Sequence, residues 1–334
     1  ITCFTNSGQS VYAGTIGAGV FISTNNGESW KAVSKGLPIW PVFSLAASGN
    51  KIFAGTESKG IFLSTNNGNT WNAVNTGLPN QYSIVNSLSI SGSNIFGGTS
   101  SGIIKSTNFG ESWTVISNVF DPILSIAISG SNIFAGSEIG GIYRSTNFGE
   151  NWSQIVYSIE KVKTIATSGS NIFAGCDVGV YRSTDNGTSW NNMPIQFETS
   201  AIAICGCNIF ASTYGHGVYF SNDNGSSWTA VNNGLPDYKN TKALVTSGGN
   251  IFVGIGEHDG VYRSTDNGGN WTAMNNGLTN RDVSSLFVNE NKIFAGSIGI
   301  FITDNTGEVW NEVSSGIKYD AVNSIAKSEN NLFA

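Results

Sequence analysis

Residues 145–152 read Ser-Thr-Asn-Phe-Gly-Glu-Asn-Trp, and seven related copies of this eight-residue stretch, which we call the box, recur along the chain. The last copy, residues 303–310, is degenerate and reads TDNTGEVW. The copies end 38 to 43 residues apart, at Trp30, Trp71, Trp113, Trp152, Trp190, Trp228, Trp271 and Trp310. A fixed period of this length indicates a repeat architecture. Eight copies of one unit account for the 334 residues.

Each unit has the same order of segments. In the fourth repeat an alternating stretch at 125–129 is followed by NIFAG at 132–136, by GIYRS at 141–145 and then by the box. Period-two alternation with frequent Gly and Asn turns predicts four short antiparallel strands, which we label A to D. The sequence therefore predicts an all-β fold over 1–334: a single eight-bladed β-propeller of four-stranded antiparallel blades, with one box per blade.

The residues of the box account for the turn that the box forms. Its third residue is Asn or Asp, whose side chain accepts backbone N–H groups, and its fifth is Gly, which adopts positive φ at little steric cost. The box thus closes the C–D hairpin, and its Trp is expected to be buried on strand D. The third residues are Asn25, Asn66, Asn108, Asn147, Asp185, Asp223, Asp266 and Asn305.

The composition excludes several classes of protein. A net charge of −6 with only 16 Lys and Arg residues argues against a nucleic-acid partner, whose phosphates require basic surface. No apolar run approaches the ~18 residues that a membrane-spanning helix needs. No motif for a cofactor or for calcium is found, so we expect none.

The box pattern S-x-[DN]-x-G-x-x-W resembles the Asp-box, or BNR, repeat of sialidase-like β-propellers, from end to end of the chain. The phrase NNGL, at 232–235 and 275–278, is similar to repeat arrays of secreted bacterial surface proteins. This resemblance implies an extracellular or cell-surface location, and a place within a longer surface protein. In that family the box marks the fold, so it implies no catalytic role.

The two chain ends pose a closure problem, because residues 1–13 and 322–334 both read as an A/B strand pair. Either the C-terminal pair displaces the N-terminal one and completes the first blade, or the chain is a window from a longer array. We predict the former, with 322–334 hydrogen-bonded to the strand near residues 19–23, because an open stack would leave exposed sheet edges.

Catalysis has two precedents in propellers with this box. The resemblance implies that a sialidase would need three converging Arg residues, but Arg144, Arg182 and Arg263 share one repeat-equivalent position and cannot converge. A glycoside hydrolase needs two carboxylates ~5 to 9.5 Å apart. The D–A connections carry candidates for such a pair, which we interpret as solvated charges: Asp121, Glu160, Glu198, Asp237, Asp282 and Asp320.

The four Cys residues give no disulfide framework. Cys205 and Cys207 flank Gly206 in an A–B turn, with the wrong spacing for a zinc knuckle or a thioredoxin-type motif. Cys176 closes a strand B at the opposite face, so it is not expected to reach Cys205. Free thiols or one strained turn disulfide are the expected states.

Seven of the eight D–A connections carry an aromatic residue, and the eighth carries Arg. These connections share a face with the B–C loops around the channel mouth, where aromatics suit stacking on sugars or anchoring a protein loop. The alternative is that they fill gaps between blades. The residues are Trp40, Tyr82, Phe120, Tyr157, Phe197, Tyr238, Arg281 and Tyr319.

The only two His residues, His216 and His258, fall in B–C loops of adjacent repeats. With Tyr214, Glu257 and Asp259 they are predicted to form one polar cluster, whose side chains could hydrogen-bond to a sugar. The two His residues are also weak candidates for metal ligands. The alternative is two solvated His side chains.

These observations favour a non-enzymatic extracellular propeller that binds glycan or protein through its D–A and B–C loop face. The alternatives are a carbohydrate-active glycoside hydrolase, a structural repeat, and an assembly factor resembling the photosystem II stability propellers. The last is disfavoured because their basic patch is missing here.

Overall fold

The structure is a computed structural model that describes residues 3–8, 10–25, 29–78, 84–116, 118–139, 141–157, 161–237, 240–289, 291–304, 306–313, 326–327 and 332–333. Eight four-stranded antiparallel sheets follow one another along the chain and form an eight-bladed β-propeller, as predicted. A small two-stranded sheet comes after the eighth blade. Within the described ranges there is no helix of the length and hydropathy that a membrane crossing requires.

The first four blades have the following strands. Blade 1 contains β1 (Cys3–Ser7), β2 (Ser10–Gly14), β3 (Val20–Ser23) and β4 (Lys31–Ala32). Blade 2 contains β5 (Val42–Ser48), β6 (Lys51–Thr56), β7 (Ile61–Ser64) and β8 (Asn72–Ala73). Blade 3 contains β9 (Val85–Ser91), β10 (Asn94–Thr99), β11 (Gly102–Ser106) and β12 (Thr114–Val115). Blade 4 contains β13 (Ile123–Ser129), β14 (Asn132–Ser137), β15 (Ile142–Ser145) and β16 (Ser153–Val156).

The remaining blades repeat this plan. Blade 5 contains β17 (Val162–Ser168), β18 (Asn171–Cys176), β19 (Gly179–Ser183) and β20 (Asn191–Asn192). Blade 6 contains β21 (Thr199–Cys205), β22 (Asn208–Thr213), β23 (Gly217–Ser221) and β24 (Thr229–Ala230). Blade 7 contains β25 (Thr241–Ser247), β26 (Asn250–Ile255), β27 (Gly260–Ser264) and β28 (Thr272–Ala273). Blade 8 contains β29 (Ser285–Asn289), β30 (Lys292–Ser297), β31 (Gly299–Asp304) and β32 (Asn311–Glu312), and the last sheet contains β33 (Ala326–Lys327) and β34 (Leu332–Phe333).

The hydrophobic core is divided among the interfaces between adjacent blades and does not form one central cluster. Strand B is buried on both faces, and the Phe of its NIFAG sequence, such as Phe134, is fully inaccessible to solvent. Eight apolar clusters each join two adjacent blades. One of them packs Val11 and Phe21 of blade 1 against Phe294 and Ile302 of blade 8. The ring is therefore closed by side-chain packing and shares no strand between its first and last blades.

The predicted closure by the C-terminal strand pair is wrong for the described residues. Strand β2 of the N-terminal pair occupies that place, with Val11 opposite Ser23 and Tyr12 opposite Ile22 on β3. Strands β33 and β34 pair with each other, and they lie against β1 and β17. A five-residue connection joins β2 to β3, and closing a short loop costs less entropy than bringing the chain's two ends together.

The box turn has the predicted geometry, and the Ser that opens the box also forms hydrogen bonds in it. In blade 2 the Asn66 Oδ1 accepts the backbone N–H of Thr70 at 2.9 Å, and Gly68 has φ of 83°. The Ser64 hydroxyl, to which the sequence assigned no role, donates to Asn66 Oδ1 and accepts the N–H of Gly68 at 2.8 Å. In blade 8, Asp304 accepts from Thr306, while Asn305 lies outside the described residues.

The Trp residues of the boxes connect blades. In four blades the indole N–H donates to a backbone carbonyl of the preceding blade, as Trp113 Nε1 does to Val74 at 2.7 Å. The same four blades follow a Gly-Leu connection, in which the residue before Gly accepts the Trp backbone N–H. A Cβ on that Gly would collide with the Trp carbonyl, as at Gly77 with Trp113. The Gly-Leu segment that recurs after strand D thus forms a contact between adjacent blades.

The three strand C Arg residues also connect blades and do not converge. Arg144 donates to Thr188 at 3.2 Å, and Arg182 donates to Ser226 at 2.8 Å, each in the box of the next blade. Arg263 makes the same kind of contact, with the carbonyl of Thr306. In the structure these Arg side chains therefore hydrogen-bond to the C–D turn of the next blade.

Candidate functional site

The D–A connections and the B–C loops form one face, because both leave the same end of antiparallel strands. They are joined by backbone hydrogen bonds in blades 2 to 7: for example, the N–H of Glu138 donates to Pro122 at 2.8 Å and that of Tyr214 donates to Glu198 at 2.9 Å. The sequence placed its candidate residues on this face, which we call the loop face.

The loop face carries most of the exposed apolar side chains. Twelve large hydrophobic residues are exposed in the described part of the chain, and nine of them lie in D–A or B–C loops. The nine are Ile16, Ile39, Trp40, Phe120, Ile139, Tyr157, Val178, Tyr214 and Ile298. The other three are Val115 on a strand D, and Phe148 and Val309 in C–D turns. Exposed apolar surface concentrated on one side of a molecule is typical of an interaction surface.

The predicted aromatics divide into three groups. Phe120 and Tyr157 are 74% and 75% exposed, and Trp40 is 40% exposed with the Lys59 ammonium 5.9 Å from its ring centroid. Phe197 is half-buried against its neighbours, as the gap-filling alternative expects. Tyr82, Tyr238 and Tyr319, with the carboxylates Glu160 and Asp320, lie outside the described residues.

Sequence reasoning missed the aliphatic residues of the B–C loops. Ile16, Ile139, Val178 and Ile298 stand at corresponding places in four blades, and Ile139 is 71% exposed. The sequence does carry a signal for them, because each is a branched aliphatic residue next to Gly in a B–C loop of one to five residues, outside any strand.

Three strongly exposed residues, Phe120, Ile139 and Tyr157, lie on the connections and the B–C loop of blade 4. Phe120 precedes Pro122, which is hydrogen-bonded to the B–C loop that carries Ile139, and Gly141 of that loop packs on the backbone at Tyr157. Beneath them the Tyr143 hydroxyl donates to Asp121 Oδ2 at 2.8 Å. Burial, together with this hydrogen bond, raises the pKa of Tyr143 to about 12. The hydroxyl therefore stays protonated and fixes Asp121.

A lysine next to this cluster binds two carboxylates. Lys163 Nζ lies 2.8 Å from Asp177 Oδ1 and 2.5 Å from Glu198 Oε1. Burial lowers the pKa of Lys163, but the hydrogen bonds to the two carboxylates outweigh burial and leave the pKa raised. Lys161 pairs with Glu138 at 3.2 Å in the same sector. Charged groups thus border the exposed apolar residues of blades 4 to 6.

A bulge in strand A places one residue per blade towards the channel. The register shifts at this point in blades 2 to 7, which leaves Phe43, Asn86, Leu124, Lys163, Ser200 and Lys242 without a ladder partner. Bulges re-aim side chains beside functional sites in many sheets. The first four of these residues line a cavity of about 260 Å³ at the channel, bounded by strand A of blades 1 to 5.

Several polar atoms of this cavity wall are already engaged. Ser44 Oγ donates to the carbonyl of Val85 at 3.0 Å, and Asn86 Nδ2 donates to that of Ile123 at 2.9 Å. Such bonds tie strand A of one blade to strand A of the next. The apolar part of the wall is formed by Phe43, Leu45, Leu88, Leu124, Ile126 and Ile165.

The loops of the two predicted His residues make different contacts. The His216 ring stacks on Phe197 of the preceding connection, with ring centroids 3.6 Å apart and an interplanar angle of 17°. His258 and Glu257 have positive φ, and Glu257 contacts Asn240 and Asp282. Asp259 is half-buried in the same loop and Arg281 is exposed on the next connection. Asp282 is also bound to Lys242 at 3.1 Å.

No group of three His, Cys, Asp or Glu side chains that could hold a metal ion occurs in the part of the chain that the structure describes. All four Cys residues are free thiols: Cys3 and Cys176 are buried, and Cys205 and Cys207 are exposed on the face opposite the loop face. Burial raises the pKa of the Cys176 thiol to about 11, so this thiol is unreactive.

No protein-family model matches the chain, and no curated protein matches it. Solved structures share the fold. The computationally designed Ika8 protein has a TM-score of 0.68 at 13% identity, over 88% of this chain and 92% of that chain. YCF48 from Cyanidioschyzon merolae has a TM-score of 0.57 at 17% identity, over 79% and 94% of the two chains.

YCF48 bound to a D1 peptide has a TM-score of 0.55 at 16% identity, over 74% of this chain and 85% of that chain. The GH74 enzymes of Niastella koreensis and Xanthomonas campestris overlap less, at TM-scores of 0.42 and 0.43. At these identities the similarity shows the β-propeller fold, and that part of the sequence-based resemblance is confirmed.

Proposed function

We propose that this protein is a non-enzymatic binding propeller that recognises another protein through its loop face. The observation that carries the proposal is that nine of the twelve exposed large hydrophobic residues lie on this face. Protein recognition depends on such apolar anchors surrounded by polar groups. YCF48, which shares the fold, has been solved with a bound peptide.

A protein partner fits the surface better than a glycan does. Sugars are bound by flat aromatic rings, whereas Ile16, Ile139, Val178 and Ile298 offer branched aliphatic groups without a stacking face. Glycan binding is the second candidate, and the rings of Phe120 and Tyr157, both about three-quarters exposed, are the observation that favours it. The extracellular location that the sequence resemblance implies is part of the same proposal.

Hydrolysis is a further alternative, and Asp177 and Glu198 are the residues that bear on it. Both carboxylates bind one ammonium group, which places them within ~5 Å of each other, the separation found in retaining glycoside hydrolases. That reaction needs one carboxyl group protonated. Both of these carboxylates are instead held in ion pairs with Lys163. We therefore assign the pair a binding role rather than a catalytic one.

The test compares three proteins: the unchanged chain, a loop-face variant carrying Phe120→Ser, Ile139→Ser and Tyr157→Ser, and a control carrying Phe148→Ser and Val309→Ser on the opposite face. Each is cross-linked in an extract of its source and screened on a glycan array. We expect the same cross-linked protein with the unchanged chain and the control, and its loss with the loop-face variant.

Equal cross-linking by all three proteins would contradict the proposal. Array binding that only the loop-face variant loses would establish the glycan candidate. Release of reducing sugar from a xyloglucan, β-glucan or sialoside panel, abolished by Glu198→Gln, would establish hydrolysis.

A further inference from the structure

The loop face is uneven, and one sector of it is both apolar and acidic. Phe120, Ile139, Tyr157, Val178 and Tyr214 lie on five of the six successive loops of blades 4 to 6, and the sixth carries the half-buried Phe197. We call these five residues, with the charged side chains between them, the blade 4–6 strip. The loops that carry them are joined by the bonds of Glu138 to Pro122, Asp177 to Lys161 and Tyr214 to Glu198. Each of these bonds joins the two loops of one blade, and the ion pairs of Lys161 with Glu138 and of Lys163 with Glu198 join the neighbouring blades.

The charges of the strip do not cancel. Among the described residues its carboxylates are Asp121, Glu138, Asp177 and Glu198, and its ammonium groups are Lys161 and Lys163. Both lysines are already in ion pairs, Lys163 with two carboxylates. The side chains of Glu138 and Glu198 remain about two-fifths exposed. An incoming cation therefore meets a net negative surface, and an incoming anion is repelled.

The cavity at the channel adjoins the strip. Leu124 lies two residues after Pro122, and Lys163, which holds two carboxylates of the strip, is part of the cavity wall. The volume of about 260 Å³ is below the ~300 Å³ at which small-molecule pockets begin. A space of this size suits one apolar side chain of a larger ligand, next to the aliphatic and aromatic surface outside.

We propose that the blade 4–6 strip binds a segment of a partner protein in which apolar side chains are flanked by Lys or Arg. The inference rests on the proposed function and adds the chemistry of the partner. The apolar side chains of the segment cover Phe120, Ile139 and Tyr157, and its basic side chains lie against Glu138 and Glu198. Complementary charge at the border of an apolar contact sets which partner is accepted.

The experiment selects random 12-residue peptides displayed on phage against the unchanged chain. The clones are counter-screened against the variant with Phe120→Ser, Ile139→Ser and Tyr157→Ser, and against the opposite-face control with Phe148→Ser and Val309→Ser. All five residues are exposed, so these variants are expected to fold, which circular dichroism checks. We expect clones rich in Lys or Arg beside Leu, Phe or Trp, retained by the control and lost with the first variant.

A second variant, Glu138→Gln with Glu198→Gln, changes charge at constant shape. We expect it to weaken an enriched basic peptide by about tenfold in fluorescence anisotropy, since it leaves Lys161 and Lys163 without these partners. Unchanged affinity would overturn the proposed chemistry.

The remaining outcomes separate the two proposals. Strip-dependent clones without basic residues would overturn this inference and leave the proposed function standing. An absence of strip-dependent clones would overturn this inference as well, and the proposed function would then be decided by the cross-linking experiment.

Discussion

The indole N–H of Trp113 donates a 2.7 Å hydrogen bond to the backbone carbonyl of Val74, one blade earlier in the ring. Trp152, at the same place in the next blade, is equally buried, but its indole N–H has no partner among the described residues. The difference follows from the preceding connection, which contains Gly77-Leu78 before Trp113 and no Gly-Leu pair before Trp152. The Trp of the box is thus hydrogen-bonded to the preceding blade through its indole N–H in one repeat and not in the next.

The first prediction uses this pair of residues. Trp113→Phe removes a buried donor and leaves the Val74 carbonyl without it, whereas Trp152→Phe removes an indole nitrogen that had no partner. We expect Trp113→Phe to lower the free energy of unfolding by about 1 kcal/mol more than Trp152→Phe does. Urea denaturation of both variants measures the difference, and equal losses would contradict the assigned role of the hydrogen bond.

The second prediction concerns the Gly-Leu connection. Gly77 has φ of 87°, and a Cβ there would collide with the Trp113 carbonyl, whereas Gly130 in an A–B turn has φ of 60° and open space around it. Gly130→Ala should therefore cost only the left-handed backbone, about 1 kcal/mol. Gly77→Ala should cost about 3 kcal/mol, because the overlap adds to that term. Similar thermal midpoints for the two variants would show that the blades separate without strain.

The third prediction tests the structural role of the strand C Arg residues. Arg182 donates to Ser226, while its buried Nε has no partner in the described part of the chain, and Leu63 occupies the equivalent position in blade 2. Arg182→Leu should change the free energy of unfolding by less than about 1 kcal/mol, since an exposed hydrogen bond is lost together with an unsatisfied donor. It should leave ligand binding unchanged. A loss of binding would place Arg182 in a functional site.

The fourth prediction is a pH dependence that comes from the boxes with Asp. Hydrogen bonds from Ser189 and Ser227 lower the pKa of Asp185 and Asp223, and those from Asn270 lower the pKa of Asp266 to about 2. A lowered folded-state pKa means that the unfolded chain binds more protons below about pH 4, so stability present at neutral pH is lost as the pH falls.

The matched control for this pH effect is the variant Asp185→Asn, Asp223→Asn and Asp266→Asn, because Asn66 and Asn108 already serve in other boxes. We expect its urea midpoint to fall less than that of the unchanged chain between pH 5 and about pH 2. Parallel decreases would assign the acid sensitivity to other carboxylates.

Much of the fold could be predicted from the residues because the information is local and repeated. A Ser, an Asn or Asp, and a Gly within five residues close the C–D turn, and the continuous apolar run of NIFAG gives a strand buried on both faces. Eight copies of one such unit leave few other architectures. The mutual position of the D–A and B–C loops follows from the antiparallel order, so the loop face was predicted as well.

The details of the loop face depended on contacts between distant residues. The sequence does not show that the bulge at Lys163 turns its side chain towards Asp177 and Glu198, or that Phe197 covers His216 instead of joining His258. Side-chain direction at a bulge is set by the pairing of two strands and by the neighbouring blade, and neither is encoded within one repeat.

Closure of the ring likewise separates what the local sequence predicts from what the tertiary structure decides. From the sequence alone, residues 1–13 and 322–334 are equivalent candidates for the first blade, because both carry the A/B pattern. In the tertiary structure the first blade contains the pair that is joined to β3 by a short loop. The ring is closed between blades 1 and 8 by packing that includes Phe21 and Phe294. Local pattern fixes what each segment forms, whereas loop-closure entropy and packing between blades decide which of two equivalent segments is used.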